Sequence, residues 1–340
     1  MKKKILIFWC SMQCLMAYSV EPWTWSLHKT IKESDFKKNS KHIIFSHMDL
    51  KPFSQMLFSW NAQRPKQGFY TFWAQVRDVT TKQWHPWHKM IEWGNGVNRS
   101  FFDAGKHDTS KYCHVRLEVP DNKHADAVRF IITPHDGAGA SLIKKVDVTV
   151  SNFAHFISEV GDKKLDKLSS VHIKNIPIQS QMVLAHDKKE VLCSPTSMSM
   201  LVGFLTKKTI KPELFSMQCY DTGLDAYGSW PFNIAHANEV CKNKYHLYVT
   251  RLPSFLALHK KLKENIPVVV SVRGAIKNAP KEYKHGHLLL VVGYDHVTKK
   301  VIVHDPAFSD NQEVVASYEL GSFLQAWEKS RRLSYVAEPL

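Results

Sequence analysis

The sequence predicts an α+β protein in which an all-β, sandwich-like part precedes a part where helices come before a sheet. Short alternating apolar strands, separated by Pro and Gly clusters, predict the first part over residues 20–155. Residues 171–340 open with helical periodicity and continue into apolar β-runs, which predicts a second domain. Residues 156–170 lack strand alternation and carry Gly161, so we expect a linker there.

The first residues of the chain predict a secretory signal peptide over residues 1–19. Three lysines follow Met1, then a short apolar run and the small residues Ala17 and Ser19, after which cleavage is expected. The apolar run is too short to span a bilayer comfortably, and no later segment is apolar enough to do so. We therefore expect an exported protein, secreted or periplasmic, without a transmembrane segment after cleavage.

The N-terminal part contains five predicted strands and many tryptophans. Alternation places Trp73 on the apolar face, whereas the turn from Trp84 to Trp87 is expected to be exposed. Exposed tryptophans would stack on sugar rings or on a peptide, but the pattern favours packing. The predicted strands are Met56–Trp60, Phe69–Asp78, His114–Val119, Ala127–Thr133 and Lys145–Ser151.

A helix is predicted to begin at Cys193. Ser194, Pro195 and Thr196 are residues typical of a helix start, and apolar residues recur at helical spacing from Met198 onward. Backbone N–H groups and the helix dipole stabilise a thiolate at a helix N-terminus, which makes a cysteine there nucleophilic. The alternative is a cysteine that only packs.

Two apolar runs downstream predict a β-hairpin with its turn over residues 295–300. The first run starts at His287 and the second ends at Asp305, so the hairpin brings these two residues to neighbouring positions. An aspartate beside a histidine can orient the imidazole ring. Either residue alone is commonly only a strand terminus, but with Cys193 they predict a cysteine–histidine–aspartate constellation.

Several ordered motifs resemble the bacteriocin-processing (double-glycine) branch of the papain-like cysteine peptidases. More closely, they resemble secreted bacterial relatives of that branch that have no transporter attached. The resemblance covers roughly residues 170–335 and implies a papain-like cysteine peptidase domain that hydrolyses peptide bonds through an acyl-enzyme. The motifs are Gln179-Ser180-Gln181-Met182, Cys193–Met200, Ser229–Asn233, Gly286–Tyr294 and His304-Asp305-Pro306.

Carried over by position, the resemblance implies a role for four residues. Cys193 would be the nucleophile, His287 the general base and Asp305 its orienting partner. Gln181 would supply the side-chain donor of the oxyanion hole. It lies twelve residues before Cys193, so an inserted loop over residues 183–192 must be assumed, and Gln179 is a competitor for the role. No cofactor is implied.

Two further functions remain open at this stage. One is another thiol acyl-transfer enzyme on the same fold, such as a cell-wall amidase or transpeptidase. The other is a non-catalytic binding or effector protein whose sandwich carries the function. The presence of Cys193, His287 and Asp305 together argues against the second, because a dead site has no physical need for all three.

The chain is strongly basic. Its formal net charge of +15 falls to +12 without residues 1–19, which hold three lysines and no acid. A basic surface favours anionic cell-surface polymers as partners beside the peptide or protein substrate, although scattered lysines would also serve solubility. No nucleic-acid motif accompanies the charge.

Cysteine usage bears on redox and metal chemistry. Four cysteines remain after the predicted cleavage, and in an oxidising compartment Cys219 and Cys241 could close a loop, with Cys193 reactive and Cys113 buried. Spacing alone does not prove that bridge. Metal binding explains the cysteines and histidines less well, because no Cys-x-x-Cys or His-Glu-x-x-His pattern occurs.

Overall fold

A computed structural model describes residues 22–36, 42–103, 108–242 and 244–340. The predicted signal peptide lies outside these residues. Within these ranges, no helix is long and apolar enough to cross a membrane. The described chain is a mixed α/β structure with large antiparallel sheets.

Ten strands build the N-terminal part. They are β1 Thr24–Thr30, β2 Ile43–His47, β3 Gln55–Ala62, β4 Phe69–Asp78, β5 His88–Gly94, β6 Val97–Ser100, β7 Lys111–Cys113, β8 Arg116–Glu118, β9 Ala125–His135 and β10 Ile143–Ser151. One five-stranded sheet has the order β1-β10-β3-β8-β7, and the other has the order β2-β9-β4-β5-β6. Of the strand predicted over His114–Val119, Arg116–Glu118 forms β8, whereas His114 and Val115 have positive φ angles and form the turn between β7 and β8.

The facing sides of these two sheets share one apolar core. Trp60 on β3 stacks on Phe72 of β4 with ring centroids 4.5 Å apart, and both side chains are fully buried. The placement of Trp73 on this apolar face is wrong. Since Phe72 and Ala74 face the core, strand alternation turns Trp73 to the outer face, where it is half-buried.

The turn carrying Trp84 and Trp87 is covered rather than open. The Arg129 guanidinium lies 4.0 Å from the centroid of the Trp84 ring and 5.2 Å from that of Trp87. Its Nε donates to the Gln75 side chain at 2.6 Å, which holds the guanidinium in place. The expected exposure is therefore wrong for both rings, which are half-buried against a cation.

The C-terminal part combines five helices with a seven-stranded antiparallel sheet. The helices are α1 Cys193–Thr206, α2 Pro212–Cys219, α3 Trp230–Cys241, α4 Phe255–Lys263 and α5 Leu320–Lys329. The strands are β11 Val171–His172, β12 Tyr245–Arg251, β13 Val268–Gly274, β14 Tyr283–Asp295, β15 Lys300–His304, β16 Val315–Glu319 and β17 Leu333–Pro339. The sheet order is β12-β17-β13-β14-β15-β16, with β11 paired to β14.

Helix α1 is the central element of this part. Its residues from Ser194 to Leu205 are all buried, which suits a helix that is mostly apolar on every side. The helix packs against β14, where the Ser197 hydroxyl donates to the Leu288 carbonyl at 3.0 Å. This contact fixes the start of α1 beside the middle of β14.

Strands β14 and β15 form the predicted hairpin. Leu290 lies opposite His304, and the register shifts between Val291 and Gly293, which leaves Val292 as an extra residue in a β-bulge. The turn spans residues 296–299.

Apolar periodicity in the sequence predicts a helix over Leu252–Asn265 with four residues facing inward, namely Phe255, Leu256, Leu258 and Leu262. Helix α4 is shorter than this and spans Phe255–Lys263. Phe255, Leu258 and Leu262 are buried as expected. The inward placement of Leu256 is wrong, since its side chain is 56% exposed. The three buried residues follow helical spacing along one stripe, and Leu256 lies off that stripe.

The two parts share buried surface. Phe232 and Ala235 of α3 belong to the sandwich core, and the Phe232 ring meets Trp60 edge-on at 6.1 Å. Asn238 Nδ2 donates to the Trp60 carbonyl at 3.2 Å. The segment predicted as a linker also contacts the C-terminal part, because Arg332 donates to the Ile157 carbonyl at 2.8 Å.

Phe232→Ala should lower the free energy of unfolding by about 3–5 kcal/mol, the usual cost of truncating a buried phenylalanine. Because this side chain comes from α3 and fills the sandwich core, we expect both parts to unfold in a single, earlier transition. Denaturant unfolding followed by tryptophan fluorescence and by circular dichroism measures this. Leu214→Ala, at an exposed position of α2, is the matched control. Two separate transitions, with only one part weakened, would instead favour independent domains as predicted from the sequence.

Candidate active site

Cys193 is the first residue of α1 and is partly exposed. Its thiol forms a hydrogen bond with the His287 side chain and faces the backbone N–H groups of Leu288 and Ser194. Burial raises the pKa of this thiol, but the His287 hydrogen bond and charge, together with those N–H groups, more than offset it. The pKa of Cys193 therefore lies below its usual value, as a nucleophile requires.

His287 lies on β14 and is buried between Cys193 and Asp305. Its Nε2 lies 2.7 Å from Asp305 Oδ1, which leaves Nδ1 for the Cys193 thiol. Burial lowers the pKa of the imidazole, whereas the charge and hydrogen bond of Asp305 and the contact with Cys193 raise it, to about 9. The structure thus brings the three predicted residues into hydrogen-bonding contact, and the two pKa shifts favour an imidazolium–thiolate pair.

Asp305 follows β15 and is fully buried. Its Oδ2 accepts hydrogen bonds from the hydroxyls of Tyr283 at 2.6 Å and Tyr318 at 2.7 Å. The Ala307 backbone N–H donates to Oδ1 at 3.0 Å. Burial raises the pKa of this carboxyl, but His287 and the two tyrosines lower it further, so the carboxylate stays ionised.

Neither tyrosine is predicted from the sequence. Tyr283 stands four residues before His287 on β14, and its ring stacks on the imidazole at 4.1 Å and 13°. Burial and the Asp305 charge raise the pKa of both phenols above the usual value, so both remain donors. An aromatic residue near a strand histidine was a usable signal for Tyr283. Tyr318 comes from the neighbouring strand β16 and leaves no local pattern.

Gln181 and Gln179 point to different neighbours. The Gln181 backbone N–H donates to the Pro306 carbonyl at 2.9 Å, and its Nε2 donates to the Lys189 carbonyl at 2.9 Å. Its side chain is buried, with Oε1 unpartnered among the described residues. Gln179 Nε2 donates to the Ile210 carbonyl, in the loop between α1 and α2. Of the two, only Gln181 is bonded to residues close in sequence to Asp305 and Cys193. Pro306 directly follows Asp305, and Lys189 lies four residues before Cys193.

Residues 173–335 match the model of the Peptidase_C39 like family. The matched segment contains Gln181, Cys193, His287 and Asp305, and it supports a cysteine peptidase of the C39-like kind. Among solved structures, the chain is similar to xylellain, a cysteine protease from Xylella fastidiosa, with 10% identity and a TM-score of 0.31. That similarity covers 53% of this chain and 90% of xylellain. No curated protein matches the sequence.

The other described cysteines have environments unlike that of Cys193. Cys219 and Cys241 are free thiols, so they do not form the disulfide that the sequence left open. They are the last residues of α2 and α3 and are buried in the core. The Cys219 thiol lies 3.8 Å from the Phe232 carbonyl. Burial raises the pKa of Cys241 to about 12 and that of Cys219 well above its usual value. Burial and the Glu118 charge raise the pKa of Cys113. Among these four thiols, Cys193 alone has a pKa below its usual value.

One cluster of described residues has donor atoms close enough to hold a metal ion. These are His28, Asp147 and His246, whose ligand atoms lie within 4.8 Å of one another. His28 Nδ1 and His246 Nε2 lie 2.8 and 2.9 Å from the two Asp147 oxygens, which are direct hydrogen-bond distances. As it stands, the cluster joins β1 and β10 to β12.

Alkylation of Cys193 should be half-maximal at a pH below about 8.5, the midpoint of a free thiol. The reason is that the lowered pKa keeps the thiolate populated at lower pH. In His287→Ala the midpoint should rise, because the positive charge beside the sulfur is lost. Mass spectrometry of iodoacetamide-labelled peptides across pH measures this, with Cys113 in the same chain as the internal reference. Superimposed profiles for wild type and His287→Ala would contradict the coupling.

Proposed function

We propose that this chain is an exported cysteine peptidase that hydrolyses peptide bonds through Cys193, His287 and Asp305. The observation that supports this proposal most directly is the chain of hydrogen bonds from the thiol to the imidazole and on to the buried carboxylate. His287 Nε2 lies 2.7 Å from Asp305 Oδ1. The lowered pKa of Cys193 and the raised pKa of His287 support the same assignment. The C39-like match over residues 173–335 is consistent with it.

In the proposed reaction the Cys193 thiolate attacks the carbonyl carbon of the scissile bond. The developing oxyanion is held by the Cys193 backbone N–H and the Gln181 amide. The His287 imidazolium gives its proton to the leaving amine, and the C–N bond breaks to leave a thioester. His287 then takes a proton from water, whose oxygen attacks the thioester; the C–S bond breaks, which releases the acid and restores the Cys193 thiolate beside the imidazolium.

Gln181→Ala should lower kcat by about 100- to 1,000-fold, the usual loss for one oxyanion donor. Alkylation of Cys193 should change little, because that step builds no oxyanion. Gln179→Ala is the matched control, since the Gln179 amide donates to Ile210 instead. Steady-state kinetics of the two variants show which glutamine is the oxyanion-hole donor. A larger loss of kcat in Gln179→Ala would assign that role to Gln179 instead.

The direct test combines an activity-based label with product analysis. The chain is incubated with an electrophilic peptide probe, and the modified residue is located by mass spectrometry. Cleaved peptides with a free carboxylate support a peptidase. Transfer of the acyl group to an added amine would indicate a transpeptidase, and release of amide-linked cell-wall fragments would indicate an amidase. Absence of labelling at Cys193 would leave a non-catalytic binding protein.

Export and the role of the sandwich belong to the same proposal. The signal peptide over residues 1–19 would direct the chain to the periplasm or the medium of a bacterial cell. The sandwich would position substrate, or hold the enzyme at an anionic cell-surface polymer through its basic surface. Fractionation of cells expressing the full chain tests export, and a cytoplasmic, uncleaved product would refute it.

A further inference from the structure

A cavity of about 500 Å³ lies where the two parts meet, next to the proposed active site. Arg116 on β8 lines it from the sandwich side. Arg251 on β12 and Arg273 on β13 line it from the C-terminal part. Gly286 also lines it, directly before His287 in β14. The cavity therefore adjoins the proposed catalytic histidine through the backbone.

Positive charge dominates this cavity. Its lining includes Arg116, Arg251, Arg273, Lys329 and Arg331, and it includes no aspartate or glutamate. Arg116 is paired with Glu118 at 2.6 Å. The other four cations form no carboxylate ion pair with any residue that the structure describes. Like charges held together in one concave site repel each other, and a bound anion would relieve that repulsion.

Arg251 is the only buried residue among these five cations, and its Nη2 also donates to the Gln55 side chain. It is 5% exposed, and its guanidinium donates to the backbone carbonyls of Ser330 at 2.7 Å and Arg331 at 2.9 Å. Its Nε–H is buried without a partner among the described residues. Burial lowers the pKa of Arg251 to about 9, with the charges of Arg116 and Arg331 acting in the same direction. Burying a cation without a carboxylate partner costs desolvation free energy, and the rest of the fold must offset this cost for Arg251.

We propose that this cavity binds acidic side chains of the peptide substrate beside the bond to be cleaved. The inference rests on the proposed peptidase function. Guanidinium groups bind carboxylates with paired hydrogen bonds, and Arg273 is exposed at the cavity beside Gly286. A bounded cavity of this volume suits a short segment better than the long groove that tracks a polymer. The sandwich, through Arg116, would then contribute to substrate selection.

The test measures binding without turnover. Fluorescein-labelled hexaglutamate is titrated into the full chain carrying Cys193→Ala, and anisotropy gives the Kd. The same titration uses Arg273→Gln/Lys329→Gln, which removes two exposed cations of the cavity. The matched control is Lys260→Gln/Lys263→Gln, which removes two exposed cations of α4 outside the cavity. Hexaglutamine and a polyphosphate of equal charge serve as comparison ligands.

We expect the cavity pair to weaken hexaglutamate binding at least tenfold and the control pair to change it less than twofold. Hexaglutamine should not bind. In wild type, cleavage sites mapped on a peptide mixture should be enriched beside Asp and Glu, and the cavity pair alone should lose that enrichment. Equal weakening of hexaglutamate binding by the two double variants would refute the cavity as the binding site. Tighter polyphosphate binding with the same dependence on Arg273 and Lys329 would reassign it to an anionic polymer. If Cys193 is not labelled but hexaglutamate still binds, the proposed peptidase function is refuted and the binding of acidic side chains in the cavity is not.

Discussion

Cys193→Ala should abolish hydrolysis and electrophile labelling while the fold remains intact. The residue supplies the sulfur that forms the acyl-enzyme, so its loss removes all covalent chemistry. The remainder of α1 is buried from Ser194 to Leu205 and does not depend on that sulfur. Peptide cleavage assays, intact-mass labelling and thermal unfolding measure the three outcomes.

Cys113→Ala is the matched control for this variant. Cys113 lies on β7 in the sandwich and its pKa is raised, so its removal should leave turnover and labelling unchanged. Equal labelling of wild type and Cys193→Ala would show that another thiol reacts and would remove Cys193 from the proposed mechanism.

The second large effect concerns Asp305, where a graded series is expected. In Asp305→Asn the amide can still accept the His287 hydrogen bond, but the charge that raises the His287 pKa is lost. Activity should fall by less than the roughly 100- to 10,000-fold that general acid–base catalysis supplies. Its alkaline limit, set near pH 9 by His287 in wild type, should move to lower pH, because a less stabilised imidazolium loses its proton earlier.

Asp305→Ala should approach the full loss of general acid–base catalysis. It should also destabilise the chain, because the Tyr283 and Tyr318 hydroxyls lose their acceptor inside the core. pH–rate profiles and thermal unfolding of both variants measure the series, with Asp310→Asn in the exposed loop after β15 as control. Identical activity of wild type, Asn and Ala would leave Cys193 and His287 as an unassisted dyad.

The residues of the proposed triad could be found from the sequence because each sits at a local structural signal. Cys193 precedes a run of helix-start residues, and that helix begins at Cys193. His287 and Asp305 belong to two apolar runs joined by a short turn, and these form β14 and β15. Short-range patterns of this kind survive folding because capping and strand alternation are decided within a few residues.

Features that depend on distant pairing could not be found in this way. Tyr318 reaches Asp305 only because β16 pairs with β15. The outer placement of Trp73 depends on which side of β4 meets the other sheet, and apolar character alone does not decide that. The cationic cavity joins side chains from β8, β12 and β13, which come together only when the two parts dock.

The extra residue Val292 sets the strand register that brings His287 and Asp305 together. Leu290 lies opposite His304, so the next residue, Asp305, falls opposite Leu289, which shares a face of β14 with His287. If Val292 paired regularly with Val303 instead of forming the bulge, Asp305 would fall opposite Leu290, on the other face of the sheet. Conversion of the bulge to regular pairing would therefore turn His287 and Asp305 to opposite faces of the sheet, although it would alter neither residue. Homologues aligned at this hairpin should therefore either keep the extra residue together with the bulge or lack both, whatever residue occupies position 292.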